Sequence, residues 1–250
     1  MNNLALVVNT VSKNADVWPM FFGQIEAHWP TGICKKYLCT DKETETIPPD
    51  WETLLYDGEE TTYREQFLSC IEQVEEQYCI YISEDYILYD DVQMDLIETY
   101  VKLLGDRSHL SFIRLIRGGV VDFLSPYIAA PNLYEMHHSF PYFYTNQAAI
   151  WRTRDLEKIH AQGPNLHIAT RDWENSFEYQ ATQTCQALDI QGIFCYHGEP
   201  KRGIYHYDSS VFPHIATALV KGQWNLSEYP ELLASLCEKY HIEMDVRGTV

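Results

Sequence analysis

Positive charge is scarce in this chain: 18 Lys and Arg stand against 36 Asp and Glu in 250 residues, for a formal net charge of −18. Nucleic-acid binding relies on a cationic surface that releases counterions, so a phosphate-backbone partner is disfavoured, as is an anionic membrane surface for the same reason. A diphosphate ligand would need its charge cancelled locally, by a divalent cation or by a few placed Arg and Lys side chains. Long hydrophobic runs are missing too. None reaches the roughly 18 residues that span a bilayer, and Met1 to Thr10 lacks the basic flank and long apolar core of a signal peptide. The seven cysteines are odd in number and contain no CxxC pair, which argues against a zinc ribbon or a secreted disulfide framework and leads us to expect a reduced, cytoplasmic setting. P-loop, GxGxxG and GxSxG motifs are absent, against kinases, Rossmann dehydrogenases and α/β-hydrolases.

What is present is a chain of 46% hydrophobic residues, rich in Tyr and Phe, long enough for one large α/β core. Leu4 to Val8 is a continuous apolar run ending in Asn9-Thr10, a buried strand opening into a polar loop. A helix over Pro19 to His28 and a strand over Lys36 to Cys39 make the start β-α-β, and residues 42–60 read as a surface loop. Thr62 to Glu65 has capping-box spacing before a helix reaching about Gln77. Tyr78 to Ile82 is the next buried strand, followed by a helix from Val92 to Leu104 and a strand from Ser111 to Ile116. This alternation predicts a mainly parallel sheet flanked by helices, with ligands beyond the carboxyl ends of its strands. Further on, short strands are expected at Leu133 to His138, Pro141 to Thr145 and Gly192 to Tyr196. Helices are expected from an Asp172 cap to Leu188, over Pro213 to Val220 and over Pro230 to Tyr240.

Three groupings suit chemistry. Glu84-Asp85 sits just past a buried strand, where a carboxylate pair can hold Mg²⁺ or Mn²⁺ against a nucleotide diphosphate or can simply open a solvated loop. Glu174 and Glu178, beside Trp173 and Phe177, fall on one face of the expected helix, where a desolvated carboxylate serves as a general base and an exposed acidic face is the alternative. Lys201-Arg202, close to His206, is a basic patch suited to a diphosphate, and that His could be a metal ligand. Arg64, Arg114 and Arg117 are further cations near the expected strand ends.

The segments Tyr78 to Tyr86, Ser111 to Leu115, Asn146 to Trp151 and Trp173 to Glu178, in this order and spacing, resemble those of bacterial and viral GT-A-type glycosyltransferases over roughly residues 4–210. The resemblance implies one GT-A-like α/β domain over residues 1–250, with a nucleotide-sugar half at 1–110 and an acceptor half at 111–250. It implies a nucleotide-sugar donor, UDP-sugars favoured, a carbohydrate acceptor and a Mn²⁺ or Mg²⁺ ion. Asp85, with Glu84, looks like the equivalent of the DxD metal motif, and His206 like the C-terminal His that completes the metal shell. Asn9, Thr10, Asp41 and Arg64 correspond to positions that hold the donor, and the Trp173 segment to the acceptor-side helix bearing the base, Glu178 or Glu174. A full DxD has two aspartates; here the triplet is Ser83-Glu84-Asp85 or Glu84-Asp85-Tyr86, so cationic side chains could replace the ion. The rival readings are a carbohydrate-binding protein without turnover and a sugar-phosphate nucleotidyltransferase, although the loop from Asn9 to Asn14 lacks the Gly-rich basic pattern of the latter.

Overall fold

A computed structural model describes residues 3–58, 62–121, 123–128, 130–166 and 173–250. The chain runs β1 (Leu4–Asn9), α1 (Trp18–His28), β2 (Lys35–Thr40), β3 (Glu52–Leu55), α2 (Tyr63–Ile71), β4 (Tyr78–Ser83), β5 (Ile87–Leu88), α3 (Met94–Asp106) and β6 (Leu110–Arg114). It continues through β7 (Leu133–Glu135), β8 (Ala149–Arg152), α4 (Thr153–Gln162), α5 (Phe177–Ala187) and β9 (Gln191–Cys195). The last elements are β10 (His214–Ile215), β11 (Leu219–Val220), β12 (Gln223–Trp224) and α6 (Pro230–Lys239). Eight strands form one sheet in the order β3-β2-β1-β4-β8-β6-β9-β7. β8 runs antiparallel to both β4 and β6, β7 runs antiparallel to β9, and the other pairings are parallel.

The sheet is covered on both faces because its strands are apolar at odd and even positions alike. Leu4, Leu6 and Val8 of β1 join Tyr78, Ile80 and Ile82 of β4 in one core, shared with α1, α3 and α6. The intervening Ala5, Val7, Cys79 and Tyr81 face the other, shared with α2, α4 and α5. Successive strand residues point to opposite faces, so a continuous apolar run is what a doubly covered strand requires.

The Thr62 capping box forms as its spacing predicts, with the hydroxyl accepting from the Glu65 N–H and the Glu65 carboxylate from the Thr62 N–H. Thr62→Ala is expected to cost about 1 kcal/mol, lowering the Tm by about 2–4 °C for a chain of this length; calorimetry checks it. The helix stops at Ile71, short of Gln77.

Elsewhere the structure departs from the sequence reading. The expected loop at 42–60 contains edge strand β3, paired to β2 alone. Pro141 to Thr145 forms no strand, whereas β8 and α4 follow it without having been anticipated. Asp172 lies outside the described residues; α5 begins at Phe177, capped by the Ser176 side chain, which accepts from the Tyr179 N–H. Pro213 to Val220 is not helical. His214–Ile215 pairs with β5, and Lys221-Gly222, both at positive φ, turn β11 back into β12. Two consecutive positive φ values make the primed turn that matches strand twist.

Candidate active site

A cavity of about 510 Å³ opens at the carboxyl ends of β4 and β6 and the entry to β8, within the size range of small-ligand sites. Ser83 and Asp85 reach it from the end of β4, Arg114 from β6, Thr145 to Gln147 from the segment before β8, Ser176 and Glu178 from the start of α5, and Tyr205 and His206 from the loop after β9. The topology thus draws Asp85, Glu178 and His206, far apart in the chain, around one chamber.

The two neighbouring acids diverge. Glu84 turns towards the loop after β1, where the Asn14 amide donates to Oε1 at 2.5 Å. Burial raises its pKa, partly offset by hydrogen bonds from Asn14 and Thr10 and by the Arg247 charge. Asp85 faces the cavity. Burial and then the Glu84 charge push its carboxyl up to about 8, against a donation from the Leu219 backbone. Such a carboxyl is neutral near pH 7 until a cation arrives to ionise it.

Glu178 is anchored through Oε1, which accepts from the Thr145 hydroxyl at 2.7 Å and from the Asn146 backbone N–H at 2.9 Å. Among the described residues no donor reaches Oε2. Arg114 is buried alongside: its guanidinium donates to the carbonyls of Tyr142 (2.9 Å) and Phe143 (2.7 Å). Burial brings its pKa down to about 10, with the Glu178 charge opposing the fall, so it stays cationic at neutral pH.

His206 is 3% exposed and shares a hydrogen bond with the Tyr229 hydroxyl at 3.2 Å. That hydroxyl spends its proton on Asp208 at 3.1 Å, so Nε2 of His206 must be the donor and Nδ1 the unprotonated nitrogen. Burial lowers its pKa to about 4, which keeps it neutral.

At the ends of β1 and β2 lies a second cluster. Thr10 accepts from the Trp18 indole at 2.9 Å and, through its carbonyl, from the Tyr56 hydroxyl at 2.5 Å. Asp41 accepts from the Ser12 backbone and hydroxyl at 2.5 and 2.9 Å, tying the loop after β1 to the end of β2. Burial opposes its charge, but the Ser12 donations prevail and hold its carboxyl below the usual range. Asn9 sits level with Ser83 across the sheet, its side-chain oxygen buried and without a partner among the described residues.

Several expected site residues are placed elsewhere. Arg64 donates to the carbonyls of His160 (2.6 Å) and Ala161 (2.7 Å). It satisfies the orphan carbonyls at the end of α4, a common use of Arg at a helix terminus, and does not face the cavity. Arg202 forks onto Asp208 at 3.0 and 2.6 Å, and Lys201 donates to the Gly119 carbonyl at 3.0 Å. Glu174 is exposed on a 3-10 turn, Trp173–Asn175, and because Ser176 caps α5 after it, Glu174 and Glu178 do not share a helix face. Of the two, Glu178 is the one that lines the cavity. The side chain of Trp173 lies outside what the structure describes.

Asp85, Glu84 and His206 do not form a ready three-ligand metal cluster: among the described residues, the group whose ligand atoms gather within 4.8 Å is His28, Asp90 and Asp91, away from the cavity lining. Asp85 offers the cavity one carboxylate, a donor of the kind that suits Mg²⁺ or Mn²⁺ when most of the ion's shell comes from water or a ligand.

Tyr86, Asn146 and Gln147, which the sequence placed in its marked segments without a role, complete the walls together with Phe140, Tyr142, Tyr205 and Thr217. Tyr142 and Tyr205 meet edge to face at 6.0 Å, with Tyr205 60% exposed at the mouth.

Neither the comparison with family models nor that with curated proteins finds a match. Solved structures do match. A fragment of S. aureus TarS, residues 1–349, superposes with TM-score 0.51 at 11% identity, over 83% of this chain and 60% of that one. The same fragment in complex with UDP-GlcNAc gives TM-score 0.51 at 11% identity, over 96% and 66%. The mannosyltransferase PcManGT from Pyrobaculum calidifontis, in complex with GDP-Man and Mn²⁺, gives 0.48 at 13% identity, over 81% and 58%. The chain therefore spans about two thirds or less of these structures, and its fold is of the glycosyltransferase GT-A type. No helix among the described residues is long and apolar enough to cross a membrane.

Proposed function

We propose that this chain is a glycosyltransferase that moves a sugar from a nucleotide-sugar donor to a hydroxyl of a carbohydrate acceptor, with inversion at the anomeric carbon. The observation that carries this reading is one cavity lined both by Asp85, from the first part of the chain, and by Glu178, from the second, with aromatic residues in its walls. Residues 1–110 form the donor half, with Asn9, Thr10 and Asp41 at the nucleotide, and residues 111–250 the acceptor half. The likeness to TarS, whose structure holds UDP-GlcNAc, supports a UDP-sugar as the first donor to try.

In this mechanism Glu178 Oε2 takes the proton of the acceptor hydroxyl as its oxygen bonds to the anomeric carbon, and the bond to the diphosphate breaks on the opposite face. Thr145 and the Asn146 N–H fix the base, and rings such as Tyr205 offer apolar faces to the sugars. A Mn²⁺ or Mg²⁺ ion held by Asp85, with neutral His206 nearby, would supply charge to the departing diphosphate.

Thermal shifts with UDP-, GDP- and dTDP-sugars, with and without Mn²⁺, test the donor site. A ligand at about 100 times its Kd stabilises by about 2.7 kcal/mol, so the matching series should raise the Tm by about 5–10 °C. No shift with any nucleotide sugar, metal present or absent, overturns the reading.

A further inference from the structure

Asn146 is 95% buried yet lines the cavity beside Glu178. Its side-chain oxygen lies 3.0 Å from the Tyr63 hydroxyl and 3.3 Å from that of Tyr144. Tyr63 also meets the Tyr81 hydroxyl, and Tyr144 lies 3.0 Å from Nε2 of His160. Each hydroxyl has one proton to give, and His160 Nδ1 is buried with no partner among the described residues.

Proton counting fixes the direction of the chain. Burial drives the His160 pKa down to about 3, so the ring is neutral and carries one N–H. If that hydrogen were on Nδ1 it would be an orphaned buried donor, the rarer and costlier defect; on Nε2 it is given to Tyr144, leaving only a lone pair at Nδ1. Tyr144 then has its own proton to give, either to Asn146 or to the neighbouring Tyr63 hydroxyl. Tyr81 has Tyr63 as its hydroxyl partner among the described residues, so Tyr63 receives there and gives its proton to the Asn146 oxygen, which fixes the orientation of the amide. The remaining polar group of that side chain is its NH₂, a donor on a residue that lines the cavity together with Glu178.

We propose that Asn146 is a specificity-determining residue: its NH₂ donates to the hydroxyl next to the one Glu178 deprotonates, so that the pair reads a vicinal diol on the acceptor sugar. A donor and an acceptor side by side match two adjacent hydroxyls, one accepting and one donating, and mismatch an acceptor that lacks the neighbour. This assignment rests on Glu178 being the base, while the orientation of the amide does not.

Two measurements separate those dependencies. In protein labelled with ¹⁵N-His and ¹⁵N-Asn, long-range ¹H–¹⁵N spectra should show His160 protonated at Nε2, and the Asn146 NH₂ resonances should shift on adding methyl glycosides of glucose, galactose or mannose. Protonation at Nδ1, or no shift of the Asn146 amide with any of the three, overturns the proposal whether or not the protein turns over. In the transferase assay, Asn146→Ala should raise the acceptor KM about tenfold with the donor KM little changed, and the difference in acceptor KM from wild type should vanish with the deoxy acceptor lacking the adjacent hydroxyl. Tyr144→Phe, which keeps the packing, should produce a smaller rise of the same kind. An acceptor KM unmoved in Asn146→Ala overturns the proposal alone, whereas absent transfer by the wild type overturns the glycosyltransferase reading and the diol assignment that rests on it, with the orientation of the amide still decided by the His160 tautomer.

Discussion

Glu178→Gln is expected to lower kcat by about 10²–10⁴-fold, the usual contribution of a positioned general base. The replacement keeps the oxygen that Thr145 and the Asn146 N–H hold, so the side chain should stay in place while its second arm becomes an amide with no proton affinity. Donor affinity should be unchanged, because the role proposed for Glu178 is on the acceptor side. Glu174→Gln serves as the control: Glu174 is exposed and does not line the cavity, so kcat should remain within about twofold of wild type. A Glu178→Gln protein keeping more than about a tenth of wild-type kcat would place the base elsewhere.

Asp85→Asn should abolish metal-dependent donor binding and yet make the unliganded protein more stable at pH 8. The Asp85 carboxyl ionises near 3.8 when unfolded and at about 8 in the fold. The folded state therefore holds a proton that the unfolded state has lost, and stability falls as pH rises from about 4 to 8. Asparagine carries no such proton. Its advantage should be absent below pH 4, grow across that window and be complete above 8. Allowing for relaxation around a group that is not fully enclosed, the gain at pH 8 is about 2 kcal/mol, or about 4–8 °C in Tm. Melting curves at pH 4, 6 and 8 check the trend, and a variant less stable than wild type at pH 8 refutes it. Strain of this kind, relieved only when a ligand brings charge, is a familiar cost of a working site.

How much of this was visible beforehand depends on how local each feature is. β1 and β4 are continuous apolar runs because both sheet faces are covered, and with the shorter apolar stretches of β2 and β6 they were legible, as was the Thr62 cap. Edge strand β3 has one neighbour and is only four residues long, so its signal is faint. Pro213 suggested a helix start, but pairing with β5 and the Lys221-Gly222 turn overrode it. Amphipathic α4 was readable from Leu156, Ile159 and His160 but passed unnoticed. In the site, the local pattern pointed to Asp85 and Glu178, and both line the cavity. Arg64 could not be placed, because its partners are carbonyls about a hundred residues away, and Asn146 acquires its role from Tyr63, Tyr81 and His160, which sequence does not bring together.

The antiparallel strand β8 has a bearing on biosynthesis. β4 and β6 do not touch; β8 is threaded between them although it is made after both. A chain leaving the ribosome N-terminus first can assemble β1 to β4 early, but the far side of β4 stays bare until residues 149–152 emerge, and bare edges are templates for mispairing. The seam closed by β8 is also where the cavity opens, and Glu178 follows later still. Nascent chains stalled before that point would offer a sticky flank and half a chamber, making this the interval in which a chaperone has most to protect.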